Sequence, residues 1–327
     1  MQSLNQSFEY CRELTQRTAH NFRFSFLTLP AAKRRAMEAL YAFNRITDDL
    51  GDDESVELEL RRVQLTAWRE SIRYLLRHES DAAASTRPEV DGHHPPPTLR
   101  IHRPEGAFSP KQTPRTGEIG TFSDHPAHLA IADVVHQYQI PPQYLFAVID
   151  GVEQDLDPVS MAKFADLENY CYHVAGAVGL CCIHIWGFHR DPRAIPLAID
   201  CGLALQLTNI LRDLAEDADQ GRFYLPHEDL VRFGYSQEDL RQRRNNQPFQ
   251  ELMRFQVERA KSYYARAEQL LPYLEPDGKP ILRAMIDIYQ AVLHEIEHRR
   301  FDVFSRRVSI PKWKKLWFAT RAMIFSR

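Results

Sequence analysis

Ala204-Leu205-Gln206-Leu207-Thr208-Asn209-Ile210-Leu211-Arg212-Asp213-Leu214-Ala215-Glu216-Asp217 is an apolar run in which an amide and two carboxylates recur at four-residue intervals. The apolar positions return at helical spacing, which predicts a helix over 194–216. On that helix Asn209, Asp213 and Asp217 share one face, each about 6 Å along the axis from the last. Acids on a helix this apolar need cations or partners, because an isolated buried charge is costly. The second acidic stretch, Asp48-Asp49-Leu50-Gly51-Asp52-Asp53, sits at the end of a strong helix former beginning after Pro30. It places Asp48 and Asp52 on one face, with Tyr41 and Arg45 on or near it by three- and four-residue steps. Taken alone, such a string reads equally well as a solvent-facing helix with an internal ion pair. Two rows on facing helices make oxygen ligands for hard divalent cations, which bind through a few carboxylates, water and substrate phosphates. The expectation is Mg²⁺, with Mn²⁺ as the alternative ion, and a diphosphate between the rows.

Outward from these rows the chain is helical in pattern almost throughout. Apolar spacing of helical period runs from Phe8 to His78 and resumes at Leu129, predicting helices over 129–138, 142–150, 161–186, 248–274 and 280–304 besides the two acidic ones. No internal repeat and no alternation of strand and helix appears. An all-α, single-domain helical bundle around a central apolar cavity is therefore expected over 1–327. Residues 79–127 break the pattern with Pro, His, Ser, Thr, Gly and Asp, including His93-His94-Pro95-Pro96-Pro97. Such a composition buries little apolar surface, so a disordered or irregular surface insertion is expected there. Its histidines lack the regular spacing of a metal site and read as solvated.

The 327 residues are 44% hydrophobic, enough for a sizeable core, and 41 basic against 44 acidic residues give a net charge of −3. That balance argues against a nucleic-acid binder, which carries a basic excess. Five cysteines without a CxxC pair, four of them in apolar helical surroundings, predict buried free thiols and a reducing, cytoplasmic setting. The first thirteen residues are polar, and no apolar run is expected to be long enough to span a bilayer.

Three motifs in order identify the family. Positions 41–52 fit YAxxRxxDDxxD, 170–179 fit YCYxVAGxVG, and 206–226 fit QLTNILRDxxEDxxxGRxYLP; a C-terminal Tyr289 followed by Arg306-Arg307-Val308 completes the set. The chain thus resembles the squalene/phytoene synthases, prenyltransferases that join two prenyl diphosphates head to head, and the likeness covers nearly everything except 79–127. The resemblance implies Mg²⁺ ligands at Asp48 and Asp52 on one helix and Asn209, Asp213 and Asp217 on the other. It implies diphosphate contacts from Arg45, Arg212, Arg222 and Arg307, with Arg306 competing for the last role. Tyr41, Phe22 and Tyr289 would face cationic intermediates, each with core packing as its alternative. Asp49 and Glu216 rank as supporting acids behind the ligands. The catalytic set is Asp48, Asp52, Asp213 and Tyr41.

One position departs from the pattern: Asn21 stands where many relatives have a phosphate-binding serine, although its amide can still donate. Subfamilies differ at this point. Condensation of two farnesyl diphosphates to presqualene diphosphate is placed first, with phytoene synthesis from two geranylgeranyl diphosphates close behind and a hydroxysqualene-forming relative third. A non-catalytic prenyl-diphosphate-binding subunit and a one-chain terpene cyclase are the competing classes, disfavoured respectively by the presence of both acid rows and by the 170–179 and 206–226 motifs. No GxGxxG is present, which disfavours NADPH. Gly176 and Gly179 either leave room for prenyl tails or permit close helix packing. The stretch 299–327, basic and carrying Trp313, Leu316, Trp317, Phe318 and Met323, suits either a peripheral contact with the inner membrane face or an ordinary terminal helix. Oligomeric state is not indicated.

Overall fold

The computed structural model describes residues 3–19, 23–84 and 125–325. Fourteen α-helices are found among them, and the only β-type pairings there are two isolated bridges, Ser160 with Phe223 and Phe188 with Leu274. In chain order they are α1 Leu4–Thr18, α2 Arg23–Phe26, α3 Ala31–Asp52, α4 Leu58–Ala84, α5 His128–Gln137, α6 Pro142–Gln154, α7 Phe164–Cys171, α8 Ala177–Trp186, α9 Ala194–Asp219, α10 His227–Arg232, α11 Gln237–Arg241, α12 Gln247–Ala267, α13 Gly278–His298 and α14 Lys312–Phe325. The helical expectation holds, with two refinements. The stretch predicted as one helix over 161–186 is α7 and α8 joined by a π-helical turn, Tyr172–Gly176. The predicted 248–274 helix is α12 ending in a 3₁₀ segment, Glu268–Tyr273, which contains Pro272. Of the expected insertion, α4 reaches Ala84 and α5 begins at His128, while 85–124 lie outside the described residues, as do Asn21 and Phe22.

Local chemistry explains the starts. Ser3 closes a capping box with Gln6, its hydroxyl accepting from Gln6 N and its own N donating to Gln6 Oε1 at 2.8 Å, which satisfies two otherwise orphaned donors. Ser236 closes a second capping box with Asp239 at α11, and Asn246 caps α12 by accepting from Phe249 N at 3.1 Å.

At the centre stands α9, wrapped by α12, α8, α13 and the π turn. By length and composition α9 could cross a bilayer, contrary to the expectation that no segment would. Here it is the core helix, its apolar residues covered by protein on most sides, which is why it is apolar nearly all round. The one hydroxyl inside it, Thr208, is fully buried and satisfied by Ala204 O at 2.9 Å and Tyr264 Oη of α12 at 2.7 Å. All five cysteines are buried free thiols, as expected.

The glycines decide how closely α9 is approached. A Cβ at Gly202 would lie 2.4 Å from Ala175 O, and one at Gly179 would lie 2.8 Å from Ala198 O. These are backbone atoms, so close packing requires glycine at both positions, and Gly179 also lines the central cavity. Gly202→Ala is expected to push α9 off the π turn at a cost of roughly 3 kcal/mol, the upper part of the overpacking range. Equilibrium urea unfolding checks it; stability within ~0.5 kcal/mol of wild type would contradict the packing account.

Candidate active site

The long helices α3 and α9, with α13 and the segment after it, enclose a cavity of about 530 Å³. Its apolar wall includes Phe26, Val148, Val178, Ile183, Trp186, Leu205 and Met285. Its polar end is made by Tyr41, Asn44, Arg45 and Asp48 from α3, Gln206 and Asn209 from α9, Tyr289 from α13, and Arg307. Residues spaced by three and four along α3 and α9 thus meet at one end of an apolar chamber, as the periodicity requires.

The predicted acids and arginines are brought together at the mouth of this chamber, largely paired with one another. Arg212 donates to both carboxylate oxygens of Asp213, with Nε to Oδ1 at 2.8 Å, and Arg307 donates to the same two oxygens at 2.9 and 3.0 Å. Arg307 also reaches Glu216 at 3.4 Å and lines the cavity, which favours it over Arg306. Arg222 crosses from the end of α9 to Asp52 of α3 at 2.8 Å, tying the two acid rows. Its position follows from Gly221, whose φ of +74 turns the chain back so that Arg222 N bonds Asp217 O at 2.8 Å. Arg45 pairs with Asp49 at 3.1 Å rather than with Asp48. Tyr41 donates to Thr18 Oγ1 at 3.1 Å, and the nearly inaccessible Tyr289 lies against the Asn209 amide.

Asp48 opens onto the cavity but is crowded by protein; that crowding, with Asp52 one turn on, pushes its carboxyl up to about 7. Asp217 is likewise raised to about 7, first by burial and then by Asp213, against the pull of Arg222. Both shifts lift a carboxyl above its unfolded value near 3.8, so the folded chain holds more protons between about pH 4 and about pH 7. In chelator these two acids are therefore expected to withdraw stability as pH rises through that window, opposed by His125 and His184, whose burial holds their imidazoles below the usual value. The difference in melting point between wild type and Asp48→Asn/Asp217→Asn, taken at about pH 5 and about pH 8, checks the sign; a wild type that gains on the variant at the alkaline end would reverse it.

An acid that periodicity missed sits between the rows. Asp155, just past the end of α6, accepts from Tyr170 Oη at 2.9 Å and Tyr224 Oη at 3.0 Å. The two phenol rings stack at 4.9 Å and come from the 170–179 and 206–226 motifs. Burial raises the Asp155 carboxyl against the two phenol bonds and Arg222, and Asp155 acts in turn on Asp48 and Asp217. Two buried amide oxygens, Asn44 Oδ1 and Asn209 Oδ1, have no hydrogen-bond partner. Asn44, like Asp155, was not anticipated; its unsatisfied oxygen beside Arg45 is visible only once α3 faces the cavity.

Among the described residues no three His, Cys, Asp or Glu side chains stand close enough to hold a metal ion by themselves. The donor set nevertheless fits a hard cation that shares its ligands with a phosphate: carboxylates on two helices and an orphaned amide oxygen on α9.

The squalene/phytoene synthase family profile matches residues 15–314. The 15-cis-phytoene synthase of Synechococcus elongatus is 32% identical over 98% of this chain and 94% of its own length. The phytoene synthase of Arthrospira platensis is 31% identical over the same shares of both chains. Among solved structures, a dehydrosqualene synthase with bound ligand superposes with a TM-score of 0.75 at 23% identity, covering 98% of this chain and 97% of that one. A squalene synthase from Alicyclobacillus acidocaldarius gives 0.73 at 24%, covering 91% and 95%. These likenesses carry the all-α isoprenoid synthase fold, and the profile and sequence identities together show that the chain belongs to the squalene/phytoene synthase family, whose members are prenyltransferases.

Proposed function

We propose that the chain condenses two geranylgeranyl diphosphates head to head to phytoene. The observation that carries the reaction class is the meeting of acids and arginines from α3, α9 and the segment after α13 at the polar end of an apolar chamber. The chain length of the donor rests on the relatives, which are phytoene synthases at 31% and 32% identity over 98% of the chain. The sequence alone placed the farnesyl reaction first; the names of these relatives reverse that order.

Asp48, Asp52, Asn209, Asp213 and Asp217 would hold Mg²⁺ together with the diphosphate oxygens. Bound there, the ion supplies Lewis-acid neutralisation of the departing diphosphate. The chain's own residues do the rest. Arg45, Arg212, Arg222 and Arg307 exchange carboxylate partners for phosphate oxygens and stabilise the charge that develops as the allylic C–O bond breaks. The apolar wall shields the allylic cation from water, so the second substrate's double bond attacks it and loss of a proton leaves a cyclopropylcarbinyl diphosphate; departure of that second diphosphate, rearrangement and loss of a second proton then give the hydrocarbon without a reductant. Tyr41 and Tyr289 present phenol rings at the polar end, where each is worth ~0.5 to 2 kcal/mol to a nearby cation.

Incubation with labelled farnesyl or geranylgeranyl diphosphate separately, with and without NADPH, decides the donor and the end point. A C40 hydrocarbon from the C20 donor, formed without reductant, is expected. Turnover of the C15 donor alone would restore presqualene diphosphate as the product. Binding without pyrophosphate release from either donor would make the chain a binding subunit.

A further inference from the structure

Three helices fix the long axis of the chamber, and their registers agree. On α3 the polar end is reached at Asp48, while Met37, about 16 Å back along the axis, still lines the wall. α8 runs against α9, with Ala175 packed on Gly202 and Gly179 on Ala198, so its last residue, Trp186, lies beyond the level of Ala198 and away from Asn209. α13 starts at Gly278, where an added Cβ would lie 2.9 Å from Trp186 Cβ, and arrives at the polar end with Tyr289, again about 16 Å on. Trp186 is 2% exposed and lines the chamber, so it stands at the end opposite the acids.

The indole there is held through its backbone. Its buried Nε1 has no hydrogen-bond partner, so no polar bond of its own fixes the ring. Lys33, in the first turn of α3, donates from Nζ to Trp186 O at 2.7 Å, one of the carbonyls that the end of α8 leaves open. The same ammonium pairs with Asp277 at 3.2 Å and reaches Glu275 at 3.9 Å, both in the turn before α13. Gly187, at φ +86, turns the chain so that its carbonyl accepts from Glu275 N at 3.0 Å. Lys33 thus joins α3, the end of α8 and the start of α13 at one point. Asp48 stands about 22 Å further along the same helix. One rod therefore carries both the acid end and the anchor of the far wall.

We propose that Lys33 positions Trp186 as the stop that limits the length of prenyl tail the chamber accepts. The stop rests on the proposed placing of the diphosphate at the acid end. With the head pinned there, a tail extends toward Trp186, and one more isoprene unit must displace the indole or fold back. Lys33 acts through Trp186: without the ammonium, the Trp186 carbonyl loses its donor, the turn before α13 loses its cation, and the wall yields.

Steady-state kcat/KM for the C15, C20 and C25 prenyl diphosphates, each supplied alone, tests the stop. Trp186→Ala is expected to raise the ratio of the next longer donor to the one wild type prefers by at least about tenfold, as removal of a size limit in an apolar pocket does. Lys33→Met, which keeps the stem and loses the ammonium, is expected to raise the same ratio by about threefold, the worth of one modest hydrogen bond. Trp186→Leu is expected to fall between them and replaces the alanine variant should that one not fold. A variant that is merely loosened loses all three donors in proportion and leaves the ratios where they were. Unchanged ratios in either folded Trp186 variant would overturn the stop, and unchanged ratios in Lys33→Met would overturn the positioning role. A wild type that prefers the C15 donor would overturn the choice of geranylgeranyl diphosphate and leave the stop to be judged by the shift from C15 to C20. If wild type releases pyrophosphate from none of the three, their dissociation constants by calorimetry supply the same ratios.

Discussion

Asp213→Asn is expected to lower kcat/KM for the preferred prenyl diphosphate by about a thousandfold, ~4 kcal/mol of transition-state stabilisation. Asp213 is the middle member of its row and the carboxylate on which Arg212 and Arg307 both close. An amide of the same size keeps the shape but loses the charge that holds two guanidiniums side by side, and it is a poor ligand for a hard cation. Both effects fall on the charge developing at the departing diphosphate. The site lies at the mouth of the chamber rather than in the core, so the melting point should move by only a few degrees. Pyrophosphate release measured across a magnesium titration checks this, and the variant should need more of the ion as well as turning over more slowly. Activity within tenfold of wild type, at any ion concentration, would remove Asp213 from the machinery.

Asp155 is expected to act by positioning, with a stability effect that the acids proposed to bind the ion lack. Tyr170 and Tyr224 are 4% and 6% exposed, and Asp155 accepts from both hydroxyls. Asp155→Ala leaves one phenol to the other, 3.3 Å away, and strands the remaining buried hydroxyl. The expected loss is ~2 to 3 kcal/mol, offset in part because the wild-type carboxylate is itself held at a burial cost. Asp155→Asn keeps one acceptor and should lose about half as much. Both variants withdraw a negative charge from beside Arg222, so activity is expected to fall ~10- to 100-fold, with less loss for Asn. Urea unfolding and steady-state kinetics on the same samples check the pair. Equal stability of the Ala variant and wild type would show that the phenols find other partners.

The contrast between these two acids shows what a sequence makes legible. Asn209, Asp213 and Asp217 could be read at once because a helix of 3.6 residues per turn converts a four-residue spacing into a shared face. The all-helical architecture followed from the same periodicity, and Asp48 with Asp52 from a second instance of it. Asp155 has no such rhythm. It lies in Asp155-Leu156-Asp157-Pro158, a string that looks like any solvated turn. Its role depends on where α6 ends relative to two tyrosines 15 and 69 residues away. The two phenols, quoted in separate motifs, were the one available hint that a common acceptor existed. The π turn was also hidden, since its residues continue the helical apolar pattern of α7 and α8 and only the packing of Ala175 on Gly202 shows the extra residue accommodated. Arg45 illustrates a different limit: spacing put it equally near Asp48 and Asp49, and only coordinates chose Asp49.

The mutual engagement of Arg222 with Asp52 and of Arg307 with Asp213 has a thermodynamic corollary. A diphosphate arriving alone must pull guanidiniums off carboxylates that then face each other uncompensated, and a cation arriving alone does the converse. Arriving together, they convert every severed pair into a new one. The two ligands are accordingly linked, and reciprocity demands that whatever factor the ion lends to the affinity for diphosphate, the diphosphate returns to the ion.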